Sequence, residues 1–293
     1  MALAQTITLH DGRTLGYDEV GASDGPAVLY VHGSPDSRRA RHPDDAIVEQ
    51  MGIRLVAVDR PGAGLSSPNA GGTIGSFASD AIALADHLGI ATWRPLAWSA
   101  GSVFALAIAA KHPDRVDRLA VAAGLVPFEA YTTPGILDHA DGGRWMVAEL
   151  GQELGPTGLA AMAAPMMAPY PCDAALAREH VLETADPTRR AALLEIPGAI
   201  DVMAAGVADS VTQGLDGITR DLELQVEPPD VDWAAITAPV DLWYGETDTT
   251  APPAFGRWWA EHLPWAELTV VADTGHLVAL THWEQILGRL LES

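Results

Sequence analysis

The chain has 293 residues, 48% of them hydrophobic and 19% charged, the composition of a globular protein large enough to bury a sizeable core. Its formal charge of −22 would be repelled by nucleic acid and by anionic membrane surfaces, so neither is an expected partner. The lone lysine, Lys111, follows Ala110, which excludes a Gly-Lys-Ser/Thr phosphate loop, and the single Cys172 excludes an intrachain disulfide or a CxxC site.

The chain opens on Met1-Ala2-Leu3-Ala4-Gln5, without the basic start and apolar run of a signal peptide. It has no stretch of about 18 apolar residues to span a membrane. With one cysteine, a reducing, cytoplasmic setting is expected. Residues 5–10 and 13–19 alternate around Asp11-Gly12, a hairpin signal. Residues 27–31 form a continuous apolar run suited to a strand buried on both faces, ending at His32-Gly33-Ser34-Pro35. A helix near 44–51 leads to a second such strand at 54–58, which ends at Asp59-Arg60-Pro61-Gly62-Ala63-Gly64-Leu65-Ser66. The Gly62-x-Gly64 pair lacks a third glycine at dinucleotide-binding spacing and reads as a turn. A helix at 74–88 precedes a strand at 94–98, then Ser99, then a helical run at 103–110 and a strand at 116–123. Apolar strands alternating with helices indicate an α/β protein with a mostly parallel sheet covered on both faces.

The alternation stops near Gly124 and resumes at 239–244, where a strand ends on Gly245-Glu246-Thr247-Asp248. A helix at 253–262, a strand at 266–271, Asp273-Thr274-Gly275-His276 and a helix reaching Glu292 complete the set, eight strands in all. Residues 126–228 are Ala-rich, Pro-punctuated and helical, and divide the chain into a core of 1–125 and 229–293 with an inserted helical cap of 126–228. That insert carries 16 Asp and Glu against 5 Arg, a charge of −11, which reads as a solvated acidic helical surface.

Each polar cluster follows the carboxyl end of a parallel strand, where open α/β sheets place their sites. Ala97-Trp98-Ser99-Ala100-Gly101 is a strand, a sharp turn and a helix start, with small residues at 97 and 101 to let the arms pack. A serine hydroxyl is a weak nucleophile until a base takes its proton and a carboxylate orients that base. His276 and Asp248, on the loops after the last two strands, supply both roles. Asp241 lies within its strand and reads as structural, and Asp273, on the histidine's own loop, as a cap or solvated group. Attack on a carbonyl also requires two backbone N–H donors for the oxyanion, assigned to Ala100 and to Ser34, with His32 bracing the latter loop. The remaining histidines read as helix-end (His42, His112, His262) or surface and cap positions (His87, His139, His180, His282). None has HExxH spacing, so no metal and no cofactor are expected.

These motifs resemble those of the α/β-hydrolase fold serine hydrolases: the His32-Gly33-Ser34-Pro35 and Asp59–Ser66 segments, the Ser99 elbow, Gly245-x-x-Asp248 and Gly275-His276. The resemblance implies a mostly parallel eight-stranded sheet flanked by helices, an inserted α-helical cap, a Ser99-Asp248-His276 triad in the family's chain order, and an oxyanion hole at Ser34 and Ala100. Two positions depart from the family pattern. Ala97 replaces the first elbow glycine, and Ser-Pro-Asp follows His32-Gly33 where proline iminopeptidases resemble Gly-Gly-Pro-Gly. The expected activity is a carboxylic-ester hydrolase for an apolar small molecule. Amide or peptide (proline iminopeptidase-like), lactone and carbon–carbon hydrolysis are the alternatives on the same triad, and a non-catalytic ligand receptor is the alternative of another class. Trp98, Trp145, Met146, Met162, Met166, Met167 and Tyr170 are expected to line an apolar substrate chamber, or to pack the cap helices together.

Overall fold

The structure is a computed structural model that describes residues 4–167 and 170–292, so the opening Met1-Ala2-Leu3 lies outside the described residues. Its strands are β1 (Gln5–Thr8), β2 (Thr14–Gly21), β3 (Ala27–Val31), β4 (Arg54–Val58), β5 (Arg94–Trp98), β6 (Leu119–Ala122), β7 (Val240–Gly245) and β8 (Ala266–Val271). They form one eight-stranded sheet in the order β1-β2-β4-β3-β5-β6-β7-β8, with β2 antiparallel to both neighbours and every pair from β4 to β8 parallel. All five residues of β3 are buried, because helices cover both faces of the sheet and no polar side of the strand is left to alternate with.

The helices are α1 (Ala46–Gln50), α2 (Ile74–Leu88), α3 (Gly101–Lys111), α4 (Gly142–Met167), α5 (Ala174–Thr184), α6 (Pro187–Glu195), α7 (Ala199–Ser210), α8 (Asp216–Leu224), α9 (Pro253–His262), α10 (Val278–Thr281) and α11 (Trp283–Leu290). α3 is apolar all round and buried from Gly101 to Ala110, since it packs on α2 as well as on β3, β5 and β6. α4 to α8 lie between β6 and β7. α4 is two helices in one span: Gly155 takes φ 67°, and Pro156, which lacks an N–H, follows it. Two expected elements differ. Val116 makes only an isolated bridge to Trp93, so regular pairing of β6 begins at Leu119. The last helix is interrupted at His282, whose φ −122° and ψ 27° are not helical.

The inserted helices are tied to the strand-end loops by charge and by close backbone approach. Arg38 is 5% exposed and bonds Asp59 at 2.7 Å, Asp18 at 2.8 Å and, across to α7, Asp209 at 2.8 Å. Arg60 reaches Asp221 of α8 at 2.5 Å. A Cβ on Gly62 would lie 2.5 Å from the Gly217 Cα, so this turn admits only glycine against α8. No single helix among the described residues is long and apolar enough to cross a membrane.

At the serine turn α3 packs on β5 and also comes very close to the end of β3. A Cβ at Gly101 would lie 2.3 Å from the Val31 carbonyl and 2.6 Å from that of His32, so the helix start is pressed against the end of β3. Gly101→Ala should therefore destabilise the protein by about 1–3 kcal/mol, as overpacking does when rigid backbone must give way. Urea unfolding measures this, and a loss under about 0.5 kcal/mol would contradict the assigned contact.

Candidate active site

Ser99 sits between β5 and α3 with φ 53°. A left-handed conformation in a non-glycine residue costs on the order of 1–3 kcal/mol and persists only where surrounding contacts over-determine it. Here the Ser99 amide donates to the Ala122 carbonyl at 3.0 Å, its carbonyl accepts from Ser102 at 3.0 Å, and Gly33 leaves space beside its Cβ. The hydroxyl lies 3.0 Å from His276 Nε2, and His276 Nδ1 lies 2.8 Å from Asp248 Oδ2. The other Asp248 oxygen accepts from the amides of Thr250 at 2.8 Å and Ala251 at 3.0 Å, which orients the carboxylate before the histidine meets it. The three residues are 6%, 8% and 3% exposed. Asp241 instead pairs with Arg118 and Arg289 at the far end of β7.

Trp98 supports the same line from below by donating to the His276 carbonyl at 2.9 Å, with its ring 5.5 Å from the imidazole. His32 is neutral, because burial first and the nearby Arg60 charge second hold its pKa well below the ordinary value. Its Nδ1 lies 2.7 Å from the Gly33 carbonyl and its Nε2 accepts the Arg60 amide at 3.0 Å, an arrangement that assigns the proton to Nδ1. Arg60 donates to the Gly33 carbonyl as well, at 2.7 Å. That carbonyl and the Ser34 N–H belong to one planar trans peptide and point opposite ways, so fixing the oxygen fixes the direction of the N–H. Among the described residues neither the Ser34 nor the Ala100 amide has a hydrogen-bond acceptor, and both residues line the cavity over Ser99.

This cavity has a volume of about 260 Å³. Its floor is Ser34, Ser99, Ala100 and His276, and its roof comes from the inserted helices. Of the expected lining residues, Trp98, Met167 and Tyr170 are there. Trp145, Met162 and Met166 are not: they are 46%, 52% and 66% exposed, and Met146 is also absent from the lining. On α4 it is Arg144 that faces the cavity, and its successors at 145 and 146 are turned roughly 100° and 200° away by the helix. Beyond the Gly155 break, Leu159, Ala160 and Ala163 take the inward face, leaving Met162 and Met166, four apart, on the outward one.

The lining is also more polar than expected. Asp36, Arg144, His180 and Arg189 all contribute, and none was singled out for this role by sequence reasoning. His180, expected at a surface or cap position, packs on Tyr170 with ring centroids 4.8 Å apart. Asp36 had a visible signal: it sits inside the departure from the family's pattern after His32-Gly33. It is 6% exposed, Oδ1 has no hydrogen-bond partner, and any Cβ at Gly206 of α7 would come within 2.5 Å of that oxygen. Burial raises its pKa to about 8, against the opposing fields of Arg189 and Arg60. Among the described residues no three His, Cys, Asp or Glu side chains cluster as metal ligands would.

A sheet of this order with a serine elbow at its centre defines an α/β hydrolase. The family model of the α/β hydrolase fold matches residues 26–150. Over 278 residues the chain is 30% identical to a pimeloyl-[acyl-carrier protein] methyl ester esterase of Chromobacterium violaceum, covering 92% of this chain and 94% of that one. It is 33% identical over 116 residues to a proline iminopeptidase of Arabidopsis thaliana, but that match takes in 39% of this chain and 30% of the relative. The chain thus spans about a third of the length of the proline iminopeptidases it matches. An α/β hydrolase fold protein from Nakamurella multipartita superposes with a TM-score of 0.64 at 26% identity, over 99% of both chains. The chain belongs to the α/β-hydrolase fold family.

Asp36 makes stability depend on pH. An unfolded aspartate titrates near 4 and the folded one near 8, so between those values the native protein holds a proton that the unfolded chain has released. Its contribution is full below about pH 4 and is lost as pH rises through 8. Asp36→Asn, which cannot ionise, should therefore gain stability over the parent at pH 8 relative to pH 5 in urea unfolding. An equal difference at both pH values would exclude the assignment. Asp59, buried and raised to about 6 despite Arg38, leaves a residual slope in both proteins.

Proposed function

We propose that the chain is a serine hydrolase that cleaves a carboxylic ester through an acyl-enzyme. The observation that carries the reading is the hydrogen-bonded line from Ser99 through His276 to Asp248 at the floor of the cavity. In the proposed cycle His276 Nε2 takes the Ser99 proton as Oγ bonds to the carbonyl carbon. Asp248 accepts the Nδ1 proton's hydrogen bond and stabilises the imidazolium that forms. The carbonyl's displaced electron pair becomes an oxyanion facing the Ser34 and Ala100 amides, where one donor supplies ~2.7–4 kcal/mol. Collapse expels the alcohol, which receives the proton from His276. A water then repeats the sequence on the acyl-enzyme, releasing the acid and restoring Ser99.

Ester cleavage is favoured over peptide cleavage by coverage. The methyl ester esterase matches through the inserted helices, whereas the proline iminopeptidases match over little more than a third of the chain. The apolar-substrate expectation gives way here to a substrate with polar groups as well, because charged side chains share the lining.

Ser99→Ala should lower turnover of 4-nitrophenyl esters by roughly 10⁶-fold while leaving the unfolding midpoint near that of the parent. Undiminished hydrolysis would overturn the assignment. Asp248→Asn should lower turnover by about 10⁴-fold, since it leaves the histidine in place but in the wrong tautomer. A loss of tenfold or less would hand the orienting role to another acid.

A further inference from the structure

The chain has 39 Asp and Glu against 17 Lys and Arg, so an arginine without a carboxylate neighbour is unusual in it. Among the described residues Arg39, Arg144, Arg189, Arg190 and Arg257 have none within ion-pair distance, while the remaining arginines do. Arg39, Arg190 and Arg257 are exposed, where water solvates the charge. Arg144 and Arg189 are half-buried, and both line the cavity over Ser99. In each the Nε is buried without a hydrogen-bond partner. Gln225 offers Arg144 one neutral acceptor at 2.9 Å, and the Arg189 side chain has no hydrogen bond among the described residues.

Two partly desolvated guanidinium groups, one with a single neutral acceptor and the other with none, are costly unless something negative completes them. Helix stability gives no reason for Arg189 either: it lies in the first turn of α6, the end of the helix dipole where a cation is disfavoured. We propose that Arg144 and Arg189 form an anion subsite, and that the substrate is an ester bearing a second, negatively charged group, a carboxylate or a phosphate. A guanidinium suits either, because its planar fork matches the paired oxygens of both. The nearby Asp36 does not cancel the site: burial keeps its carboxyl largely protonated at neutral pH, so Arg189 keeps an unbalanced charge. The chain's net charge of −22 would slow the approach of an anion but leaves this wall positive.

The inference rests on the ester reading for the position of the scissile bond, and the experiment separates the two. Matched esters place the charge on either side of that bond. The 4-nitrophenyl ester of valerate is compared with those of glutarate and 4-phosphonobutyrate, and phenyl acetate with 4-acetoxybenzoate. In at least one set the anionic member should have a KM about tenfold below its neutral twin. The glutarate and phosphonate arms report which anion is preferred. Arg144→Ala and Arg189→Ala should each lower the anionic-to-neutral ratio of kcat/KM at least tenfold, whereas Arg190→Ala, exposed on the same helix, should leave it unchanged. Calorimetry of glutarate and inorganic phosphate binding to the Ser99→Ala protein reads the subsite without turnover. Ester turnover with no anionic preference, and no binding that depends on Arg144 and Arg189, overturns the subsite alone. Absence of turnover with every ester, alongside arginine-dependent anion binding, overturns the ester reading and leaves the subsite standing.

Discussion

The arrangement of the site depends on one buried cation. Arg60 is 2% exposed, and its guanidinium donates to the carbonyls of His32 at 3.1 Å and Gly33 at 2.7 Å, lies 4.8 Å from the Phe104 ring centroid on α3, and pairs with Asp221 of α8. A charge so fully removed from water is tolerated only when its donors are met, and these partners come from three segments besides its own. The β3 loop, the β4 loop, the central helix and the inserted helices are thereby held to one geometry. The consequence reaches the chemistry through a peptide plane, since locking the Gly33 oxygen sets the Ser34 N–H that faces the cavity.

Charge plays a second part in the same region. Arg38 gathers Asp18, Asp59 and Asp209 around itself, joining β2, the β4 loop and α7. Arg60 and Arg38 thus spend their charge on holding the inserted helices over the sheet, each with carboxylates in reach. Among the described residues Arg144 and Arg189 have none within ion-pair distance, and that contrast gives the cavity wall its chemical meaning. An acidic chain has concentrated uncancelled positive charge in the space above its serine, while Asp36, in the same space, is kept largely neutral by burial.

Most of the fold and all of the serine, histidine and aspartate line were legible in the sequence. Strands buried on both faces read as unbroken apolar runs, and the loops that end them carry polar residues in a fixed chain order. Ser99 stands out because it follows such a run directly, and Asp248 and His276 because they lie on the loops that leave β7 and β8, three and five residues beyond the strand ends. The cavity wall was not legible to the same degree. Trp145, Met162 and Met166 are large and apolar, but which face of α4 turns inward depends on its packing against α8, distant in sequence, and Gly155-Pro156 resets the helical phase midway. The pocket positions of Arg144, His180 and Arg189 were hidden for the same reason, as charged residues in a stretch whose acidic balance reads as solvated surface.

The sequence by itself determined the alternation of elements, the serine turn and the residues at the strand ends, because these follow from periodicity and from chemistry confined to a few neighbouring positions. Tertiary structure alone decided three things: that Gly101 presses on the end of β3, that Arg60 orients the Ser34 amide, and that two arginines with no carboxylate within ion-pair distance among the described residues line the cavity over the serine. Each depends on groups distant in the chain meeting at ångström distances, and no local pattern encodes a distance between segments that only packing brings together.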